Sequence, residues 1–213
     1  VSESGMFHQA RSSQVARGDF RMFFNNGVRF RKYLVAILIG LPTWYVIGIL
    51  MNLSTGFAKE LYAGSQIDSG RSTMFGYIGL SIGDITIGLV SQYLKSRKKA
   101  LMLFYGLTIV FITLYFSSFN HSDESMYLIC GFLGFSVGFW AIFVTMGAEQ
   151  FGTNIRATAA TTIPNMVRGA LPLMNMLFKD LFQDTWHISM YNSGILTGIV
   201  VMVIASVAVL LTR

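Results

Sequence analysis

Apolar residues in this chain are collected into six runs of about twenty residues each, with charged and polar residues gathered between them. The runs cover approximately residues 33–54, 72–94, 99–118, 126–148, 157–178 and 188–211. At 1.5 Å per residue, about twenty helical residues cross the roughly 30 Å hydrocarbon core of a membrane. Backbone polar groups in lipid must be satisfied within a segment, so each run predicts a helix. The pattern therefore predicts an all-α polytopic membrane protein with six transmembrane helices.

Composition agrees with this pattern, because 53% of the residues are hydrophobic and only 12% are charged, against about 25% charged in soluble domains. We expect a basic cytoplasmic arm over residues 1–32 and a six-helix transmembrane bundle over residues 33–213. In the arm, aromatic and basic residues before Asn25-Asn26-Gly27 predict a short amphipathic surface helix, with a simple basic linker as the alternative. These residues are Arg17, Phe20, Arg21, Phe23 and Phe24.

The basic residues that give the net charge of +6 fall mainly on one side of the predicted bundle. On that side are Arg11, Arg17, Arg21, Arg29, Arg31, Lys32, Lys95, Arg97, Lys98, Lys99, Arg156 and Arg213. On the other side are Lys59, Arg71 and Lys179. Cytoplasmic loops carry an excess of Lys and Arg, so both termini are predicted to be cytoplasmic, in the inner or plasma membrane of the cell. The expected partner of this charge is the lipid bilayer and not a nucleic acid.

The second and fifth runs are interrupted by polar residues and by glycine or proline, which indicates contact with protein or a cavity rather than with lipid. Asp84 lies midway along the second run and Arg168 midway along the fifth. A charge at this depth costs roughly 2.5 to 3.5 kcal/mol on insertion scales, so such residues usually serve a substrate path, a proton relay or an internal ion pair. Polar residues share one helical stripe with Arg168, namely Thr161, Asn165 and Asn175.

Asp84 and Arg168 are expected at similar depths, about 15 and 17 Å from the same membrane surface at 1.5 Å per residue. We hypothesise that Arg168 binds an anionic group of a solute and that Asp84 carries a proton. A solute anion that engages the arginine would release the aspartate to be protonated. Two alternatives stay open: the two charges form a permanent structural ion pair, or Arg168 faces another part of the protein.

Aromatic residues and glycines on other runs add candidates for binding and for packing. Trp44 and Tyr45 on the first run and Trp140 on the fourth are candidate solute-binding residues, with packing in the core or against lipid as the alternative. Two sets of closely spaced glycines predict faces on which helices approach each other. These sets are Gly76, Gly79 and Gly83 on the second run, and Gly131, Gly134 and Gly138 on the fourth.

The segment Gly134–Gly138 also matches the G-x-S-x-G pattern of serine hydrolases, with Ser136 at the nucleophile position. That chemistry needs a strand-to-helix turn and a histidine partner, whereas His8, His121 and His187 lie in predicted loops or at interfaces. We therefore expect no enzyme. The sequence also contains no cluster of metal ligands and no phosphate-binding loop, so neither a metal nor a cofactor is expected.

Two loops carry a resemblance to a known family. Residues 149–158, EQFGTNIRAT, resemble the E-x-[FY]-P-T-x-x-R-[AG]-T signature between the tenth and eleventh helices of major facilitator superfamily transporters, with Gly152 replacing the proline. Residues 88–99, GLVSQYLKSRKK, are similar to that family's G-x-x-x-D-[RK]-x-G-R-[RK] loop, with Gln92, Tyr93 and Lys95 at the aspartate, basic and glycine positions. The resemblance implies helices seven to twelve of a twelve-helix transporter, so the N-terminal six-helix half is an expected partner.

The resemblance also implies a function, namely secondary active transport by alternating access. The expected solute is a small polar, anionic metabolite, moved together with protons. A proton-driven efflux carrier for amphipathic compounds and a non-transporting sensor or scaffold on the same fold are the alternatives. The loops imply a cytoplasmic gate, in which Glu149 and Arg156 are expected to pair, with plain membrane anchoring by basic residues as the alternative. The gate residues are Gln92, Lys95, Arg97, Glu149 and Arg156.

Overall fold

The computed structural model describes residues 18–62, 65–117 and 122–212, and every regular element within them is a helix. A short 3₁₀ helix, Phe20–Phe23, comes first. Helix α1, Gly27–Tyr45, follows and continues as a π-helical segment, Val46–Met51. The remaining helices are α2 Ser54–Leu61, α3 Ser69–Tyr93, α4 Arg97–Tyr115, α5 Asp123–Ser136, α6 Trp140–Glu149, α7 Thr153–Gly169, α8 Leu171–Asn175 with a π-helical extension Met176–Thr185, and α9 Met190–Leu211.

Polar side chains fix where the long helices begin. The Asn26 side chain accepts a hydrogen bond from the Val28 N–H at 2.8 Å, so α1 starts inside the stretch assigned to the arm. Asp68 caps α3 and Ser96 caps α4 in the same way. Such caps satisfy N–H groups that have no partner within the first turn of a helix. Asn25-Asn26-Gly27, predicted to end a helix in the arm, therefore begins α1.

Five of the described helical stretches are long and apolar enough to cross a membrane, and they correspond to the predicted runs one to four and six. These stretches are Gly27–Met51, Ser69–Tyr93, Arg97–Tyr115, Asp123–Glu149 and Met190–Leu211. The predicted fifth run is helical but divided, because α7 ends at Gly169 and Pro172 lies in the first turn of α8. Proline is favoured at the start of a helix and unfavourable inside one. The protein is thus a multi-pass helical bundle, and its sixth span stays a prediction.

Helices α3 and α5 approach until their backbones touch. A Cβ atom built on Gly79 would lie 1.9 Å from the carbonyl oxygen of Gly131, and one built on Gly134 would lie 1.9 Å from that of Gly76. No side chain fits between the helices at these points, which is the use that membrane helices make of small residues. The predicted glycine packing faces are confirmed. We call this contact the glycine interface, formed by Gly76, Gly79, Gly83, Gly131, Gly134 and Gly138.

The described end of the N-terminal arm packs onto the bundle through aromatic rings. Phe23 is fully buried, stacks on Tyr33 of α1 with 4.5 Å between ring centroids, and meets Phe151 edge to face at 5.0 Å. The predicted amphipathic helix is therefore a 3₁₀ helix of 4 residues that ties α1 to the loop before α7. Arg11 and Arg17, which belong to the predicted basic arm, lie outside the described residues.

Candidate functional site

Arg168, in the last turn of α7, lies over the ring of Trp44 on α1, with 5.2 Å between the guanidinium carbon and the ring centroid. A guanidinium within about 6 Å of an indole face is held by a cation–π attraction of roughly 0.5 to 2 kcal/mol. Trp44 in turn meets Trp140 of α6 edge to face, with 6.3 Å between centroids. Both tryptophans are half-buried and Arg168 is exposed. The aromatic pair therefore presents the cation at a surface of the bundle.

The fourth predicted span is broken at residues 137–139, between α5 and α6. Phe139, at the N-cap position of α6, supplies no side-chain cap, and Asp84 of α3 supplies one from across the interface. Its Oδ1 accepts a hydrogen bond from the Ala141 N–H at 3.2 Å. Gly138 permits this approach, since a Cβ there would lie 2.7 Å from the backbone nitrogen of Asp84. A carboxylate at a helix N-terminus meets unpaired N–H groups and the positive end of the helix dipole.

No ion pair joins Asp84 to Arg168, so the alternative of a permanent structural ion pair between them is not realised. Instead the two charges lie at opposite ends of one connected group. Asp84 caps the half-helix that begins with Trp140, Trp140 contacts Trp44, and Trp44 supports Arg168. We call this group, together with the neighbouring Asn165, the tryptophan face.

Of the other candidate solute residues, two are exposed and one is buried. Asn165 is exposed one turn before Arg168, and its amide donates to a carbonyl one turn earlier in α7 at 2.9 Å. Asn175 is also exposed, on α8. Tyr45 is fully buried, and its hydroxyl donates to the carbonyl oxygen of Gly194 at 2.7 Å. Tyr45 therefore fastens α1 to α9, and its hydroxyl is not presented on the tryptophan face.

The predicted gate contains an ion pair, but with a different partner from the one expected. Arg97 at the start of α4 pairs with Glu149 at the end of α6. Arg156, the expected partner, donates instead from Nε to the carbonyl oxygen of Phe151 at 3.4 Å. The side chains of the pair are 45% and 52% exposed, so its contribution to stability is at most about 1 kcal/mol. A weak pair of this kind can open without disrupting the bundle.

A polar cavity of about 490 Å³ lies beside this ion pair. Gln92 and Lys95 of the predicted gate line it, and Arg97 joins them. Ser91 and Thr145 add hydroxyl groups from α3 and α6. The structure thus brings three of the five gate residues together around one hollow, while Arg156 lies outside its lining.

Two loop residues have backbone conformations typical of other residue types. Lys95 has φ 48°, in the left-handed region that glycine adopts without strain. Gly152 has φ −63° and ψ 161°, the conformation to which proline is restricted. The backbone at both positions is therefore suited to a residue that the chain does not have there.

Several contacts were not predicted from the sequence. Glu60 of α2 accepts a hydrogen bond from the Tyr191 N–H at 2.8 Å and so caps the start of α9. The Ser136 hydroxyl, buried, donates to the Leu133 carbonyl oxygen of its own helix at 2.8 Å. The Nε1 of Trp44 is buried without a hydrogen-bond partner. For the break at 137–139, the signal available in the sequence is Gly138, because glycine weakens a helix interior.

No family model, curated protein or solved structure matches the chain. The function must therefore be inferred from the tryptophan face and from the two loop motifs.

Proposed function

We propose that this chain is the C-terminal six-helix half of a secondary active transporter of the major facilitator type. It moves a small anionic solute across the inner or plasma membrane together with protons, with both termini in the cytoplasm. The observation that carries the proposal is the tryptophan face, which holds Arg168 and Asp84 at two ends of one aromatic group within a multi-pass bundle. Charged residues at mid-membrane depth usually mark a path for a solute or an ion.

The two loops support the resemblance to this family. At the position where the family has glycine, Lys95 has the left-handed conformation that glycine favours. At the position where the family has proline, Gly152 has the φ of a proline. At both positions the backbone is therefore suited to the residue type that the family motif has there, although the side chains differ. The ion pair between Arg97 and Glu149 then joins the two loops and acts as the gate on that side.

Arg168 is the anion-binding residue in this proposal. A guanidinium presents several N–H donors in one plane and stays charged at all relevant pH values, which suits a carboxylate or a phosphate. Trp44 holds it from one side, so the exposed side remains open to a solute. Asn165 lies one turn away on the same helix and adds a polar contact. The N-terminal half of the transporter would cover this exposed face and enclose the solute between the two halves.

Asp84 couples the proton to the solute through the charge at the start of α6. When ionised, its carboxylate provides the negative charge that the N-terminus of α6 favours. When protonated, it no longer provides that charge. The N-terminus of α6 and the Arg168 guanidinium then gain by accepting a solute anion. Half-helix N-termini near the middle of a membrane bind anionic substrates in this manner. Proton and anion therefore bind together more favourably than either binds alone, which is the requirement for symport.

Transport into proteoliposomes that contain this chain and its N-terminal half tests the coupling. Asp84→Asn keeps an oxygen acceptor for the Ala141 N–H but removes the titratable proton. We expect the variant to exchange solute across the membrane while losing the acceleration of uptake by an inward pH gradient. Asp184→Asn, which alters an exposed carboxylate elsewhere, is the matched control and should keep that acceleration. An unchanged pH-gradient dependence in Asp84→Asn would defeat the assignment of the proton to this residue.

The two indole rings of Trp44 and Trp140 also suit an amphipathic solute, the substrate class of an efflux carrier. Arg168 repels cations, however, and so favours an anionic solute on the same face. Uptake assays with anionic metabolites and with hydrophobic cations separate the two functions. A preference for the cations would favour efflux, and the absence of counterflow for every solute would favour a sensor or scaffold.

A further inference from the structure

A second cavity, also of about 490 Å³, lies at the end of the bundle where α1 begins and α9 ends. It is lined by Val28, Arg31, Lys32, Val35, Gln150 and Leu211. Lys32 precedes Trp44 by twelve residues, which corresponds to about 18 Å along α1. This basic cavity is therefore separate from the tryptophan face.

Three cations belong to the surroundings of the basic cavity. Arg31 and Lys32 line it, and both are exposed. The Lys98 ammonium donates to the carbonyl oxygens of Leu210 and Thr212, at 3.2 and 2.7 Å. These two residues flank Leu211, which lines the cavity. The carboxylate of Glu149, next to the lining in sequence, is already paired with an arginine of α4. The positive charge of the basic cavity is thus not balanced by that acid.

An apolar groove of about 470 Å³ lies deeper on the same two helices, between α1, α7, α8 and α9. Its walls include Leu34, Leu38, Leu41, Leu173, Val200 and Ile204. Leu211, Ile204 and Val200 follow each other at seven and four residues and so share one stripe of α9. This stripe leads from the basic cavity to the groove over about 10 Å. Cationic lining near the membrane surface is thus followed by apolar lining at greater depth.

We propose that the basic cavity binds the phosphate headgroup of an anionic phospholipid and that the apolar groove holds its acyl chains. Basic cavities between membrane helices on the cytoplasmic side are suited to anionic headgroups, which are abundant in that leaflet. An ammonium and a guanidinium supply the donors that a phosphate oxygen accepts. With the bundle embedded in a membrane, the apolar walls of the groove would contact hydrocarbon, so we assign its occupant as an acyl chain of the membrane. This inference requires a membrane-embedded bundle with this end at the cytoplasmic surface, as proposed above, but does not depend on transport.

Native mass spectrometry of the purified full chain in detergent tests the site, with phosphatidylglycerol and phosphatidylcholine of identical acyl chains as probes. We expect phosphatidylglycerol to be retained in preference to phosphatidylcholine. Arg31→Gln and Lys32→Gln should each reduce that preference by about fivefold, and the double variant should abolish it. The matched control is the double variant Arg71→Gln and Lys179→Gln, which removes the same charge from exposed positions elsewhere and should keep the preference.

Three outcomes would overturn the proposal. One is equal retention of the two lipids by the unaltered chain. Another is a loss of preference in the control double variant as large as in the variants at Arg31 and Lys32. The third is displacement of bound phosphatidylglycerol by glycerol phosphate at similar concentration, which would assign the cavity to a soluble phosphate instead of a membrane lipid.

Discussion

The glycine interface and the tryptophan face meet on α3 and are built in opposite ways. At the glycine interface no side chain separates the helices, and a Cβ on Gly83 would lie 2.2 Å from the carbonyl oxygen of Phe135. At the tryptophan face Arg168, Trp44 and Trp140 meet through the ends of long side chains, and Arg168 is exposed. Gly83 and Asp84 are neighbours in the chain, yet each serves a different region. A frame fixed by backbone contact thus positions a site whose side chains can rearrange.

The largest effect is expected when a side chain is added to the glycine interface. In Gly79→Ala the new Cβ would lie 1.9 Å from the Gly131 carbonyl oxygen, so α3 and α5 must separate. Overpacking typically costs about 1 to 3 kcal/mol, and here no flexible side chain can move aside, so we expect a loss of about 3 kcal/mol. Thermal unfolding in detergent, followed by circular dichroism, measures this loss.

Gly106→Ala on α4 is the matched control for that experiment. Nothing lies within 4 Å of a Cβ at this position, so the free energy of unfolding should stay the same or rise slightly. Equal destabilisation by the two variants would contradict backbone contact between α3 and α5 as the reason why Gly79 must be glycine.

A smaller effect on stability, with a large effect on binding, is expected at the tryptophan face. Hydrogen bonds to charged groups contribute about 1.5 to 3 kcal/mol, so Arg168→Gln should weaken binding of an anionic solute by roughly ten- to a hundredfold. The free energy of unfolding should fall by no more than the roughly 0.5 to 1 kcal/mol of an exposed cation–π contact, because Arg168 is exposed and makes no ion pair. Solute titration of the reconstituted transporter measures the affinity, with Lys179→Gln as the control for loss of an exposed cation. If Arg168→Gln lowered folding stability as much as affinity, the residue would be structural.

The smallest effect is expected in the loop after α3, where a glycine would be useful for its backbone freedom and not for space. Lys95 has φ 48°, which costs a residue with a Cβ about 1 to 2 kcal/mol. After the entropy that glycine loses on folding, Lys95→Gly should raise the free energy of unfolding by up to about 1 kcal/mol. Lys95→Ala removes the same charge but keeps the Cβ and should not stabilise. Equal stabilisation by both variants would point to charge and not to backbone conformation.

Helices and packing faces could be predicted from the sequence because both follow from local periodicity. The sixth run was predicted over residues 188–211, and α9 is Met190–Leu211. The two glycine sets were predicted to form packing faces, and the structure brings them into contact with each other. The division of the fifth run into two helices is harder to predict from the sequence, because it depends on where the helix ends before Pro172.

Partners on the tryptophan face could not be predicted, because they depend on how each helix is rotated against its neighbours. The partner of Asp84 is a backbone N–H group 57 residues away, which is available only because the helix is interrupted before Trp140. Trp44 and Tyr45 are adjacent, but successive residues of a helix point about 100° apart. Trp44 therefore contacts Arg168, while Tyr45 contacts α9.

Because the helix is interrupted at residues 137–139, the two segments on either side of the break are constrained in different ways. Helix α5 is in close backbone contact with α3 along its glycines, so we expect these two helices to move as a rigid pair. Helix α6 lies beyond the interruption and is tied back to α3 by the carboxylate of Asp84. Loss of that tie would leave α6 held by its packing against α1 and α7, while the rigid pair stayed in place. With Asp84 as the proposed proton carrier, its protonation would weaken the link between these two segments at a break that contains no proline.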